Sequence, residues 1–348
     1  LYEAVAWGVE KEISPNTILI VQPSSPYVCI GYHQELEREI DIDYCRRMGL
    51  PIIRRGQGGG ATYLNSDQIF YQIVARDDGE IIPLNIEELF RKFLSVTVYV
   101  YRKLGVPAEY KPINDVVVKG RKISGNGAGK YGLNTTILVG NVILDLDYDS
   151  MAKVLRVPSE KFRDKMAKSM REWVTSLRRE LGYTPSVDRI KELLIEGYRS
   201  VLGLNLTPSY ISEEEMRFWS EKVKPKHESK EWLYMPEFKH KALTEGRSVK
   251  IAGGINLVEV DHKAKKLIRI RAEIVGDKIS DIMITGDFFL IPENEILKLE
   301  AKLTGSPLEY DAVMDRIKSF YDETDVQTPG LTPKDFADAI MKIKDMLP

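Results

Sequence analysis

Three consecutive glycines, Gly58-Gly59-Gly60, stand between Arg54-Arg55-Gly56-Gln57 and Ala61-Thr62-Tyr63-Leu64. Without Cβ atoms, such a stretch can turn sharply and let backbone N–H groups converge on an anion. "LPIIRR" before it predicts a strand leading into the glycines, and "ATYLNSDQIFYQIVA" after it predicts a hairpin-like return turning at Asn65-Ser66-Asp67. Alternation along a strand sends Arg54 and Arg55 to opposite faces, so only one is expected at a ligand of the loop. An arginine there suits phosphate, to which it donates two parallel hydrogen bonds. The glycines alone do not separate an anion cradle from a plain hairpin tip. They are not a Walker A loop, because no Gly-Lys-Ser/Thr follows. Nor do they open a helix, as a dinucleotide fingerprint would, since β-branched and aromatic residues come next.

A second glycine-rich stretch shifts the balance. "INDVVVKGRKISGNGAGKYG" (113–132) sets Asn114-Asp115 at a strand start, with Lys122, Ser124 and glycines at 125, 127 and 129 beyond. Alone, "KGRK" reads as a basic surface turn. Two glycine-rich segments bearing Arg and Lys in one sheet domain favour a nucleotide or acyl-phosphate site.

The chain of 348 residues is long enough for two domains. Short apolar runs, "TILIVQP" and "YVCIG", predict strands joined through Ser24-Ser25-Pro26, and "IDIDYCRRMG" predicts a helix stopped by Gly49. Asn85, with Glu88 three residues on, caps a predicted helix whose apolar face holds Leu89, Phe90, Phe93, Leu94, Val100, Tyr101 and Leu104. "DVVVKG", "RKISGN" and "TTILVGNVILDLD" predict further strands, and the region from about 149 to 221 is mainly helical. "EKVKPKHESKEWLYMPEFKHK" predicts an irregular border segment. Beyond Ser248 come strands "KLIRIRAEIVG" and "KISDIMITGDFFL", turning at Gly276-Asp277, and helices starting near Pro292, Pro307 and Pro333. The expected class is α+β, with mixed β-sheets flanked by helices in residues 1–240 and a small α/β accessory domain in 246–348.

A net charge of −2 argues against broad binding to nucleic acid or membrane. No apolar run approaches the roughly 18–20 residues of a membrane span. The chain starts at Leu1 and not at Met, so residues are expected to precede it. "LYEAVAWGVEKEIS" reads as the tail of an amphipathic helix and not as a signal peptide. Two cysteines, Cys29 and Cys45, exclude a disulfide framework and fit a reducing cytoplasm. His33, His227, His240 and His262 are scattered without zinc-site spacing, so no protein-built metal site is expected.

Arg-Arg-x-x-Gly-Gly-Gly-Ala-x-Tyr, then Asn-Asp, then Gly-Arg-Lys-Ile-Ser-Gly, resembles the lipoate–protein ligase family, which sits with biotin protein ligases and octanoyltransferases. The resemblance covers most of the first 180 residues, including "SPYVCIGYHQ" and "WVTSL". "AGGINLVEV" and "KISDIMITGDFF" look like the family's C-terminal accessory domain. The resemblance implies that ATP and lipoate form lipoyl-AMP, which a lysine of a lipoyl-carrier protein then attacks. That partner would be a glycine-cleavage H protein, the lipoyl domain of a 2-oxoacid dehydrogenase acyltransferase, or an H-protein-like lipoate-binding protein. Lys122 would be the essential lysine, contacting the lipoyl carbonyl and the α-phosphate. Arg55, Gly60, Ala61, Thr62 and Tyr63 would hold the adenylate, with Asn114 and Asp115 beside the nucleotide. Gly58, Gly59, Gly60 and Gly125 would line the lipoate, and Mg²⁺ would be held mainly by phosphates. The chain departs from the family pattern at Gln57 (usually Ser or Thr), Leu64-Asn65 (usually His-Asp) and Val139-Gly140 (often His-Gly). An octanoyltransferase would need a thiolate nucleophile, and Cys29 and Cys45 read as packing residues. A non-catalytic module that binds lipoylated proteins is the third reading. Gly253-Gly254 and Gly286 to Phe289 are expected to pack on the catalytic part or to form a sheet edge and turn.

Overall fold

A computed structural model describes residues 1–79, 81–157, 159–237, 248–251 and 255–347. The chain forms two compact units. The first takes in Leu1–Ile30, Glu37–Arg54 and Ala61–Leu233; the second takes in Gly31–Leu36, Arg55–Gly60 and Tyr234–Pro348.

The first unit is built on two sheets. Its strands are β1 (Thr17–Val21), β2 (Tyr27–Ile30), β3 (Ile52–Arg54), β4 (Thr62–Leu64), β5 (Gln68–Arg76), β6 (Glu109–Lys111), β7 (Asp115–Val118), β8 (Arg121–Tyr131) and β9 (Thr135–Ile143). The six-stranded sheet runs β1-β5-β9-β8-β7-β6, antiparallel throughout. The three-stranded sheet runs β3-β2-β4, with β2 parallel to β3 and antiparallel to β4. The strands on either side of Ser24-Ser25-Pro26 therefore enter different sheets. The hairpin expected at Asn65-Ser66-Asp67 is corrected in the same way: β4 pairs with β2, and β5 pairs with β1 and β9. The turn itself stands, because Asn65 Oδ1 accepts from the Asp67 N–H at 3.1 Å, an Asx turn.

The helix Ile86–Lys103 buries the predicted face against the unit's interior, and Asn85 Oδ1 accepts from the Glu88 N–H at 3.0 Å. The supposed irregular segment is helical in Trp219–Val223, Lys224–Glu228 and Lys230–Tyr234. Pro225 is tolerated because it occupies a first turn, where a helix needs no N–H from it. Arg54 fastens this segment. Its buried guanidinium donates to the carbonyls of Trp232 and Leu233, each at 2.9 Å, and Trp232 Nε1 donates back to the Arg54 carbonyl at 2.9 Å. Among the described residues no helix is long and apolar enough to cross a membrane.

The second unit holds a four-stranded antiparallel meander: β10 (Ser248–Ile251), β11 (Ile255–Lys263), β12 (Leu267–Val275) and β13 (Lys278–Gly286). Gly276 takes the positive φ of +63° that its two-residue hairpin turn requires. Helices Ile296–Leu303, Tyr310–Glu323 and Pro333–Met341 bury Leu299, Ile317, Phe320 and Phe336 with the sheet residues Ile270, Ala272 and Ile284. Gly31–Leu36 joins this unit through polar contacts: Gly286 N–H to His33 O at 3.0 Å, and Thr285 Oγ1 to Glu35 Oε1 at 2.9 Å. Arg271 pairs with both Glu35 (2.9 Å) and Glu259 (3.0 Å). The predicted domain border and Gly253-Gly254 lie outside the described residues.

Glu300 gives this unit a pH dependence. Burial pushes its carboxyl up from 4.5 to about 7; the Ile284 N–H it accepts opposes the rise, and Asp281 adds to it. The unfolded carboxyl ionises first, so the stabilisation is complete below about pH 4.5 and lost as pH rises to about 7. The loss is on the order of 3 kcal/mol. In urea unfolding, Glu300→Gln should gain about that much relative to the wild type between pH 4.5 and pH 8.

Candidate active site

The predicted site residues divide between the two units. Lys122, Asn114, Asp115, Gly125, Ala61, Thr62 and Tyr63 belong to the first, and Arg55, Gly58, Gly59 and Gly60 to the second.

In the first unit, Lys122 projects from β8 beside β7, and its Nζ pairs with Asp115 Oδ1 at 2.7 Å. Both side chains are partly exposed, while the paired Oδ1 of Asp115 is itself buried. A Cβ on Gly125 would lie 3.2 Å from Lys122 Cε and 3.5 Å from Nζ. The lysine stem therefore runs across bare glycine backbone. The Lys122 main chain is pinned on its other side, where its carbonyl accepts from the Thr175 N–H at 2.8 Å and the residue bridges Val174 in parallel. The predicted Val-Thr-Ser-Leu stretch thus braces the lysine strand.

Behind Lys122 lies a buried amide network. Asn114 Nδ2 donates to Asn126 O at 2.5 Å, and Asn126 Nδ2 returns a bond to Asn114 O at 3.0 Å. Asn126 Oδ1 accepts from Tyr71 OH at 2.5 Å, and that hydroxyl accepts from Thr97 Oγ1 at 2.6 Å. A second branch starts at Asn141, whose Oδ1 accepts from the Gly125 N–H at 2.9 Å and whose carbonyl accepts from Ser124 Oγ at 2.6 Å. Asn141 Nδ2 donates to Gln68 Oε1 at 3.0 Å, and Gln68 Nε2 donates to Tyr63 O at 3.2 Å. One chain of amides thus fixes both Gly125, under the lysine, and Tyr63, on β4. Buried groups satisfied in this way are costly to break, because each orphaned partner loses about 1–3 kcal/mol. Asn141→Ala orphans the Gly125 N–H and one face of Gln68, and should lower stability by about 2–4 kcal/mol in urea unfolding.

The sequence reading missed Asn126, Asn141 and Gln68. The available mark was an amide inside an apolar strand, as in "ILVGNVIL", where burial demands partners. Burial also raises the Tyr63 phenol, with Asp147 adding to the effect. Thr62 Oγ1 donates to Cys29 O at 3.2 Å and so ties β4 to β2.

In the second unit, Arg55 shapes the glycine loop. Its Nη2 donates to Gly58 O at 2.8 Å and to Gly60 O at 2.9 Å. Gly59 has φ +91°, and its N–H donates to Phe288 O at 3.1 Å. A Cβ on Gly58 would stand 2.4 Å from Phe288 O, and one on Gly31 would stand 1.9 Å from Gly59 O. The glycines are therefore required for close backbone approach, and Asp287 to Phe289 pack on them within the second unit. Gln57 is buried, and its carbonyl accepts from the Tyr32 N–H at 2.9 Å.

Cys29 and Cys45 are buried thiols that form no disulfide. Burial raises the Cys45 thiol, with Asp41 adding to the shift, which disfavours a thiolate there. Among the described residues no three His, Cys, Asp or Glu side chains converge as a metal site.

The family described as "Lipoyl protein ligase A/B catalytic domain" matches residues 2–199, and "Bacterial lipoate protein ligase C-terminus" matches residues 265–340. The lipoate-protein ligase LplJ of Bacillus subtilis is 26% identical over 338 residues, covering 95% of this chain and 93% of the relative. The octanoyltransferase LipM of Kyrpidia tusciae is 28% identical over 254 residues, covering 67% of this chain and 92% of the relative. A solved structure described as a bi-partite lipoate protein ligase and its E2 lipoyl domain, from Thermoplasma acidophilum, aligns with TM-score 0.61 at 27% identity, covering 69% of this chain and 93% of that one. With more than half of its length matched, the chain belongs to the lipoyl protein ligase A/B catalytic-domain family and carries the C-terminal domain of lipoate protein ligases in the same polypeptide.

Proposed function

We propose that the protein is an ATP-dependent lipoate–protein ligase. The carrying observation is Lys122: a cation laid across Gly125, paired with Asp115 at 2.7 Å, and seated on a strand fixed by buried amides. In the first step, a lipoate carboxylate oxygen attacks the α-phosphorus of ATP, and the bond to pyrophosphate breaks. Negative charge grows on the phosphoryl oxygens as this happens. Lys122 leaves Asp115 and meets that charge, and its fixed stem keeps reorganisation small. Tyr63, Thr62, Ala61 and Asn114 shape the nucleotide wall. Within the second unit, Arg55 shapes the bare backbone of Gly58 to Gly60. In the second step, the neutral Nζ of a carrier-protein lysine attacks the acyl carbonyl. The C–N bond forms, the C–O bond to AMP breaks, and the amine's extra proton passes to solvent. Among the described residues Lys122 pairs with the carboxylate of Asp115, and a Mg²⁺ ion would take most of its ligands from phosphate and would supply charge neutralisation.

The similarity to an octanoyltransferase favours a second reading, acyl transfer through a cysteine thioester. The burial of both cysteines counts against it. The two separate in one assay on an apo lipoyl-carrier domain. The ligase reading expects lipoylation that requires ATP and persists in Cys29→Ser/Cys45→Ser. Acyl transfer from an octanoyl thioester carrier, without ATP and abolished by that double variant, would overturn it.

A further inference from the structure

Gln72 has no structural role that accounts for it. It lies on β5, an interior strand between β1 and β9, and is half-buried. Among the described residues its amide takes part in no hydrogen bond. An amide drawn away from water on an interior strand normally finds a partner. The neighbouring amides do: Gln68 donates to Tyr63 O, Asn126 to Asn114 O and Asn141 to Gln68 Oε1.

The strand registers place Gln72 on the face that carries Lys122. Gln72 is directly opposite Val139 on β9, and Val139 is opposite Gly127 on β8. Leu19 of β1 stands opposite Gln72 on its other side. Residues paired in this way share one face of the sheet, and Gly125 shares it with Gly127 by alternation. A Cβ on Gly125 would lie 3.5 Å from Lys122 Nζ, so the ammonium stands over that same face.

The row Gly127, Val139, Gln72 and Leu19 is the floor of a trough within the first unit. The helix Tyr2–Glu10 closes one end, where Val5, Ala6 and Val9 pack with Val74 and Ile137, and Leu19 and Val139 lie at the edge of that cluster. At the other end β4 is held over the sheet by the bond from Gln68 Nε2 to Tyr63 O at 3.2 Å. Between the two, Phe70, Gln72, Val139 and Gly127 are all half-buried. From Gly125 to Gln72 the path runs two residues along a strand and two strands across, about 12 Å in all. An extended eight-carbon chain whose carboxylate lies at Lys122 therefore brings its far end to the amide.

We propose that Gln72 is a specificity-determining residue for the acyl group. Its amide selects a chain with hydrogen-bond acceptors at the far end, the ring sulfurs of lipoate, over a plain alkanoate of the same length. Nε2 donates to a sulfur lone pair, while Val139, Leu19 and Phe70 pack along the methylenes. A hydrocarbon tail covers the amide and gives it nothing in place of water. Sulfur is a weak acceptor, so the expected discrimination is about tenfold and not the much larger ratio of a strong donor–acceptor pair. The inference rests on the ligase reading for the reaction, but acid binding tests it without catalysis.

The test compares lipoate and octanoate on the full chain, by calorimetric binding and by acid-dependent exchange of labelled pyrophosphate into ATP. The wild type should favour lipoate about tenfold in Kd and in kcat/KM. Gln72→Met keeps the length and volume of the side chain and removes the amide. It should tighten octanoate and bring the two acids within about threefold of each other. Val139→Ala widens the same row without touching the amide, and should weaken both acids while keeping their ratio. No binding of either acid, equal preference in the wild type, a preference unchanged in Gln72→Met, or one lost equally in Val139→Ala would each overturn the assignment. A binding preference that Gln72→Met abolishes, in a wild-type protein that exchanges no pyrophosphate, would instead sink the ligase reading and leave the role of Gln72 standing.

Discussion

Lys122→Ala should slow lipoyl-AMP formation by about 10²–10³-fold in single-turnover assays, the usual loss when one preorganised charge-stabilising donor is removed. The variant should stay folded. Lys122 and Asp115 are partly exposed, and their ion pair contributes little to stability once solvent screening is counted. The loss should fall on the chemical step, with a smaller change in the concentration of ATP needed for half-saturation, because charge grows towards the transition state. Lys122→Arg should recover only part of the rate, since a planar guanidinium cannot follow the same path across Gly125. A Lys122→Ala protein that adenylates lipoate within threefold of the wild type would remove the residue from the mechanism.

The second large effect concerns stability. Gly140 on β9 has Tyr71 opposite it on β5 and Asn126 opposite it on β8. A Cβ there would lie 2.0 Å from Asn126 Oδ1 and 2.3 Å from Tyr71 OH. Both atoms are buried members of the network behind Lys122, so neither can move without orphaning a partner. Gly140→Ala should therefore combine overpacking with broken hydrogen bonds, for a loss of about 3–5 kcal/mol. That is a large share of the roughly 5–15 kcal/mol that holds a domain folded. Gly203→Ala is the contrast. Its φ is +67°, but nothing lies within 4 Å of the added methyl, so only backbone strain of about 1 kcal/mol is expected. Urea unfolding of the two variants should rank them clearly, and equal midpoints would remove the collision as the reason for glycine at 140.

The elements set by local chemistry were legible in the sequence. The helix Ile86–Lys103 announces itself by its apolar stripe and its asparagine cap, and β12 and β13 by alternation around Gly276-Asp277. The opposite faces of Arg54 and Arg55 also followed from alternation: Arg54 is buried against the carbonyls of Trp232 and Leu233, and Arg55 turns into the glycine loop. Pairing was harder to read. β4 and β5 are consecutive and joined by a turn, yet they part into different sheets, because a turn fixes direction and not the hydrogen-bonding partner. The helices from Trp219 to Tyr234 were obscured by Lys and Pro, whose weak local preference yields to anchoring by Arg54. In the candidate site, Lys122 and its glycines stood out by residue type. The amides that hold them did not, since Asn126, Asn141 and Gln68 acquire their meaning from cross-strand registers that span up to 73 residues of sequence.

The central claim is that this chain activates lipoate as an adenylate. Its most direct test is exchange of labelled pyrophosphate into ATP by the purified full chain, with and without lipoate and with no carrier protein present. The account predicts exchange that requires lipoate, is insensitive to replacement of Cys29 and Cys45 by serine, and disappears in Lys122→Ala. Exchange that is absent in the wild type, even when an apo carrier domain is added, would contradict it.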